Sequence, residues 1–309
     1  MTEPIRVGLG ESGIRIYPLM LGTGEFGWNV NQASATSILD RFVELGGNAL
    51  YTSDSYAAGR SEHIVGTWMR ECANRDEMVV CVRVGGHEDN PGLGSVSLVR
   101  AVEASLERLG IERIDVLYLD ATLDSSTHTE DILATSQWLH ESGKIGAIGA
   151  YGFSTHQLIE ARILGAADYP HVEVIDTPYN LLQRTPFEGD LQRLAITQGI
   201  SVTPSHALAH GFLSGNHRVK GKTGHSVRGG QLRDQFNRRG IRVLEVLDSV
   251  ATDAAVPVAA VALGWLLAQR QVVAPIVNPL AASHVTEIMQ SARINFTRAQ
   301  LSALERASL

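Results

Sequence analysis

Eight side chains able to move protons or hold charge stand near the ends of short apolar runs in this chain: Tyr51, Tyr56, Arg83, Asp120, Tyr151, Asp176, Ser205 and His206. The set suits acid–base chemistry on an oxygen-bearing small molecule. A phenol with a pKa near ~10 must be tuned before it can trade protons at neutral pH, and a neighbouring cation does that. Tyr56 is the candidate general acid and Arg83 the candidate cation. Arg83 can also clamp an anionic or carbonyl oxygen through its fork of N–H donors while Asp120 moves a proton. Arg83 and Asp120 equally suit a buried ion pair with a structural role. Asp176 and His206 are further acid–base candidates, with a hydrogen-bonded core histidine as the other reading of His206. Tyr51, Tyr151 and Trp28 read as walls of a substrate pocket. No metal site is expected: Asp120, Asp176 and His206 could converge, but no HxH or HExxH spacing supports them.

Such residues need a scaffold. Eight apolar runs recur at 16–23, 49–53, 79–84, 116–121, 146–151, 172–179, 201–207 and 272–278. Most are followed by stretches with helical spacing, such as SATSILDRFVEL and LVRAVEASLERLG, the latter with an apolar face and a glycine stop. Strands apolar on both faces and alternating with helices form a buried parallel sheet. Eight units in about 300 residues fit an α/β fold of the closed (β/α)8 type, the TIM barrel, as a single domain over residues 1–309. An open doubly wound sheet would carry a GxGxxG turn after its first strand. GTGEFGW has different glycine spacing. Residues 8–17 read as a hairpin closing the barrel bottom. After the seventh strand, residues 216–240 read as a long basic loop whose Arg218, Lys220, Lys222, Arg228 and Arg233 suit either a solvated surface or an anion.

The totals narrow the partners. A net charge of −7 disfavours nucleic acid. Cys72 and Cys81 form no CxxC pair, and Cys81 sits in an apolar run as a buried thiol would. The amino-terminal residues show neither a signal peptide nor a membrane span, so a cytoplasmic protein with no membrane partner is expected. Oligomeric state is not written in these features.

Taken together, the segments PLMLGTGEFGW, GGNALYTSDSYAAGRSEHIVG, LERLGIERIDVLYLD, SGKIGAIGAYGFSTHQL, YNLLQR, LAHGFLSG and VALGWLLAQRQVVAPIVNP resemble the aldo-keto reductase family in order and spacing over nearly the whole chain. The resemblance implies hydride exchange between NAD(P)H and a carbonyl. A tyrosine acts as acid, a lysine held by an aspartate tunes it, and a histidine orients the carbonyl. The tyrosine position matches Tyr56. The aspartate, lysine and histidine positions match Tyr51, Arg83 and Asp120. Among cofactor positions, the Ser-Asn pair that binds the nicotinamide amide matches Tyr151 and Gly152. The family glutamine matches Asp176, the stacking aromatic Ser205, and the glycine of the phosphate turn Asn278. A residue that often reads the 2′-phosphate falls near Leu280.

One tetrad member of four is kept, so the expectation is a rebuilt site. It would act by acid–base chemistry (elimination, epimerisation or hydration) on a small hydroxy or carbonyl compound, an anionic one included, with no cofactor. An atypical oxidoreductase using NADP or NAD with Tyr56 as acid is the first alternative, and a non-catalytic binding or regulatory barrel the second.

Overall fold

The computed structural model describes residues 5–124, 126–216 and 229–309. A two-stranded hairpin, β1 (Val7–Gly8) and β2 (Arg15–Ile16), leads into eight parallel strands. These are β3 (Met20–Gly22), β4 (Ala49–Ser53), β5 (Val79–Val84), β6 (Ile114–Asp120), β7 (Ile145–Tyr151), β8 (Val172–Pro178), β9 (Ser201–Ser205) and β10 (Ile276–Val277). From β3 to β9 each pairs with the next in chain order, and β10 pairs with β3. On the remaining side, the Val202 amide donates to the Gln271 carbonyl at 2.8 Å and the Val273 amide to the Val202 carbonyl at 3.0 Å. The sheet is thereby closed into a (β/α)8 barrel.

Helices alternate with the strands: α1 (Gln32–Glu44), α2 (Arg60–Cys72), α3 (Ser95–Leu109), α4 (Thr129–Glu141), α5 (Thr155–Gly165) and α6 (Asp190–Gln198). Then come α7 (Gly229–Asp234), α8 (Arg238–Ala254), α9 (Val258–Leu267), α10 (Ala282–Ile288) and α11 (Arg298–Ser308). Local chemistry sets several ends. Asn31 caps α1 through the Ser34 amide, and Ser154 with Gln157 forms a capping box on α5. Gly110 ends α3 in the left-handed conformation.

The strands alternate between two cores. One face packs Leu50, Val80, Val82, Leu117, Leu119 and Ile175 against the helices. The other fills the barrel with Met20, Ala49, Tyr51, Cys81, Val116, Tyr118 and Val174. Leu9 and Ile16 of the hairpin join this inner cluster, so the hairpin plugs the end where the strands begin. The Gly10 amide donating to Ser201 Oγ fastens it there. Gly149 faces Tyr118 in register, and a Cβ there would lie 2.8 Å from the Tyr118 ring, so the glycine makes room for that ring.

The expected loop at 216–240 needs correction. Residues Gly229–Asp234 are helical and α8 starts at Arg238, because Asn237 caps it by accepting from the Gly240 amide. Arg233 lies in α7. Arg218, Lys220, Lys222 and Arg228 fall outside the described residues. Among the described residues no single helix is long and apolar enough to cross a membrane.

Candidate active site

Strand alternation builds the site. Side chains two residues apart share a face. The inward residues Cys81, Tyr118 and Val174 are therefore followed, at the carboxyl ends of their strands, by inward Arg83, Asp120 and Asp176. Register places these side by side: Arg83 pairs with Tyr118, Asp120 with Tyr151, and Tyr151 with Asp176.

Arg83 is the hub. Its Nε lies 3.4 Å from Asp120 Oδ2, with both side chains mostly buried. The guanidinium carbon sits 4.4 Å from the centre of the Tyr151 ring and 5.6 Å from that of Tyr56, as cations sit over aromatic faces. Burial works against its charge, but Tyr51, Tyr56, Asp176 and Asp120 around it hold its pKa well above the usual arginine value. The Arg83–Asp120 geometry is an ion pair without an aligned hydrogen bond, and Arg83 Nε has no hydrogen-bond partner among the described residues. Asp120 Oδ1 is occupied by the backbone amide of Thr122 at 2.9 Å and by its hydroxyl.

Beneath Arg83 lies a second layer. The Tyr51 hydroxyl donates to Asp176 Oδ2 at 2.7 Å across the barrel. Burial, and then the nearby Asp176 charge, push the Tyr51 phenol well above its ordinary range, so it stays a neutral donor. Burial also raises the Asp176 carboxyl, with Arg83 and the Tyr51 hydroxyl opposing. Ser205 lies near enough to steady the Asp176 charge, yet no aligned bond joins them. Asp176 Oδ1 and Ser205 Oγ are buried without hydrogen-bond partners among the described residues. Such atoms are uncommon in folded proteins and ask for an explanation.

The turn carrying Tyr56 is held from β5. The Asp54 amide donates to the Arg83 carbonyl at 3.0 Å, and Asp54 Oδ2 accepts from the Gly85 amide at 3.0 Å. Gly85 has φ +110°, a conformation L side chains rarely adopt. Asp54 thus sets Tyr56 and Arg83 relative to each other. Sequence reasoning passed over it, although a carboxylate between Ser53 and Ser55, two residues before Tyr56, was in view. At the far side of the mouth, Asn278 Oδ1 accepts from the Gly24 amide at 2.8 Å and packs onto Gly22, tying the end of β10 to that of β3.

The other expected residues divide. Tyr51 was expected as a pocket wall. It is 1% exposed and lies under the site, because its position on β4 is one step below the strand end. Tyr151 lies at the mouth, beside a cavity of about 300 Å³ that Thr122, Gly152 and Asp176 also line. Trp28 is 61% exposed and lines another groove, of about 680 Å³, with Arg60, His63, Ile64 and Arg108. His206 is exposed and not a core histidine, since the chain turns outward after Ser205 with His206 at φ +54°. Its Nδ1 lies 3.3 Å from His210 Nε2. Among the described residues no group of three or more His, Cys, Asp or Glu side chains could hold a metal ion. Cys81 is buried, and burial pushes its thiol well above the usual range.

Known proteins place this barrel. The model of the aldo/keto reductase family matches residues 18–308. Norsolorinic acid reductase B of Aspergillus parasiticus is 28% identical over 96% of this chain and 82% of its own length. An uncharacterised Bacillus subtilis oxidoreductase, YrpG, is 28% identical over 96% and 93%. A probable voltage-gated potassium channel β subunit from Oryza sativa subsp. japonica is 27% identical over 92% and 89%. With a family match over almost its whole length, this eight-stranded barrel belongs to the aldo/keto reductase family.

Proposed function

We propose that this barrel is an enzyme acting on a small hydroxy or carbonyl compound by proton transfer, without hydride exchange. The observation that carries the reading is the arginine hub: one guanidinium paired with Asp120 and faced by two phenols. Arg83 is placed to hold an oxygen on which negative charge develops. Asp120, steadied by Thr122, takes a proton from the carbon next to a carbonyl. The electron pair moves onto the carbonyl oxygen facing Arg83, and Tyr56 supplies a proton to that oxygen. Collapse of the resulting enol with loss of a neighbouring hydroxide, protonated to water, is an elimination. Delivery of a proton to the opposite face of the carbon by a second acid, for which Asp176 is the candidate, is an epimerisation. Asp176, bonded to Tyr51, adds a carboxylate whose charge favours that of Arg83, and His206 stands at the rim, where it can pass protons to water.

The family resemblance implies a nicotinamide dinucleotide, and the residues present do not fit one held in the family's way. Tyr151 and Gly152 offer no side-chain amide or hydroxyl–amide pair to the carboxamide. Tyr151 instead covers Arg83. Asp176 brings only acceptor oxygens, one already bound to Tyr51. Asn278 is engaged with the Gly24 amide where the family has a glycine turn.

A second reading keeps NADP or NAD, with Tyr56 as acid and Arg83 as its cation. The relatives' names favour it, since two of them are called a reductase and an oxidoreductase. Titration with NADPH and NADH, followed by nucleotide fluorescence and calorimetry, separates the two. The proton-transfer reading expects no binding at millimolar nucleotide. Micromolar binding that weakens in Arg83→Ala overturns it in favour of the oxidoreductase.

A further inference from the structure

The groove beside Trp28 lies apart from the reaction centre. It runs between the β3–α1 loop and the start of α2, with Arg108 of α3 on its wall, and shares no lining residue with the cavity beside Tyr151. At about 680 Å³ it is of small-molecule size. One side is a firmly held loop. The Trp28, Asn29 and Val30 amides all donate to the Glu25 carbonyl, and the Asn29 side chain donates to the buried Glu25 carboxylate at 2.6 Å. On that fixed backbone Trp28 is left in water, and among the described residues neither a cation nor a second ring lies over its indole. Buried Val30 and Ile64 add apolar lining. A large exposed ring on an ordered loop is a surface already organised for another ring.

Two close approaches bring cations to this ring. A Cβ on Gly27 would lie 2.9 Å from Arg60 Cβ, and one on Gly59 would lie 2.6 Å from Arg108 Cδ. Both glycines have positive φ, so the loop, the Tyr56 turn and α3 meet more closely than larger residues would allow. Arg108 Nε donates to the buried Glu62 carboxylate at 2.5 Å, which matches its charge. Arg60 Nε donates to the Ala57 carbonyl at 3.1 Å, and its two terminal nitrogens have no partner among the described residues. No carboxylate is among the residues lining the groove. On a chain of net charge −7, this groove therefore carries one permanent positive charge that nothing in it offsets. An ammonium would be repelled by Arg60, whereas a carboxylate meets the fork of N–H donors that an arginine presents.

We infer that this groove is a second binding site, one that takes a small flat-ringed monoanion, an aromatic carboxylate, with its ring against Trp28 and its charge on Arg60. Neither contact touches Arg83, so the site does not depend on the chemistry carried out there.

Fluorine NMR of the full chain, with fluorotryptophan in place of tryptophan, reads Trp28 directly, its signal being the one lost in Trp28→Phe. Naphthoate should shift that signal and leave those of Trp68, Trp138 and Trp265 in place. By calorimetry naphthoate should bind about tenfold or more tightly than naphthalenemethanol, which lacks the charge, and than cyclohexanecarboxylate, which lacks the flat ring. Arg60→Gln, a change at an exposed position, should weaken naphthoate about tenfold and leave naphthalenemethanol unchanged. An unmoved Trp28 signal at millimolar naphthoate overturns the inference, as does equal binding of the alcohol. Naphthoate binding that is lost in Arg83→Ala and kept in Arg60→Gln would belong to the mouth of the barrel and overturn it too. The nucleotide titration that decides the proton-transfer reading leaves the Trp28 signal out of account, so the two can fail separately.

Discussion

Tyr51 and Asp176 join opposite sides of the barrel through one buried bond. A phenol reaching across the barrel satisfies one carboxylate oxygen at 2.7 Å. Removing it in Tyr51→Phe strands that oxygen in the core, and leaving a buried acceptor unmet costs about 1–3 kcal/mol. Urea unfolding at neutral pH should show that loss, and an unchanged midpoint would mean the bond contributes nothing. Asp176 has a separate signature in pH. Burial raises its folded carboxyl above the ordinary 3.8. Between 3.8 and the raised value the folded chain binds more proton than the unfolded one, so stability falls as pH climbs through that window. Asp176→Asn cannot titrate. Its stability relative to wild type should therefore rise from acid toward neutral pH, and a difference independent of pH would refute the assignment. The candidate residues were legible because strand ends face the mouth of a barrel. Their partners were not. That Tyr51 bonds Asp176 depends on which strands lie opposite across the barrel, and the Asn278–Gly24 contact joins residues 254 apart. Neither separation leaves a local pattern.

Helices and strands were the more readable level, since their periods of 3.6 and 2 are written residue by residue. The runs expected at 49–53 and 79–84 are β4 and β5 with the same bounds. The last run, 272–278, is reduced to a bridge at Val272 and the two residues of β10. Apolar composition marks burial there without settling where pairing occurs. Within the segment expected as a loop, residues 229–240 differ because glycine and charge mask the short helix α7 and the Asn237 cap. Packing between elements hides in small residues. Gly66 of α2 lies against α3, where a Cβ would collide with the Leu109 carbonyl. Helix propensity favours alanine by about 1 kcal/mol, whereas forcing packed backbones apart costs typically about 1–3 kcal/mol. Gly66→Ala should therefore lower the melting temperature, and a rise would show that α2 and α3 can part freely.

At the scale of the whole molecule, two cores nest: an outer one between sheet and helices, and an inner one that ends in the plug of Leu9 and Ile16. Leu9 is wholly buried. Leu9→Ala should cost about 2–5 kcal/mol if the hairpin is an integral part of that core. A loss near zero by urea unfolding would make it a detachable flap. The plug also makes the barrel a vessel with one opening. Among the described residues Leu9 and Ile16 fill the end where the strands begin, so access to Arg83 is over the rim. For a dehydrating reaction, the organic product and the released water would share that exit. Deuterium entering from solvent would reach Asp120 and Tyr56 from the rim alone. The loops after the strands would then govern how long a reactive enol is sheltered, as well as what may enter.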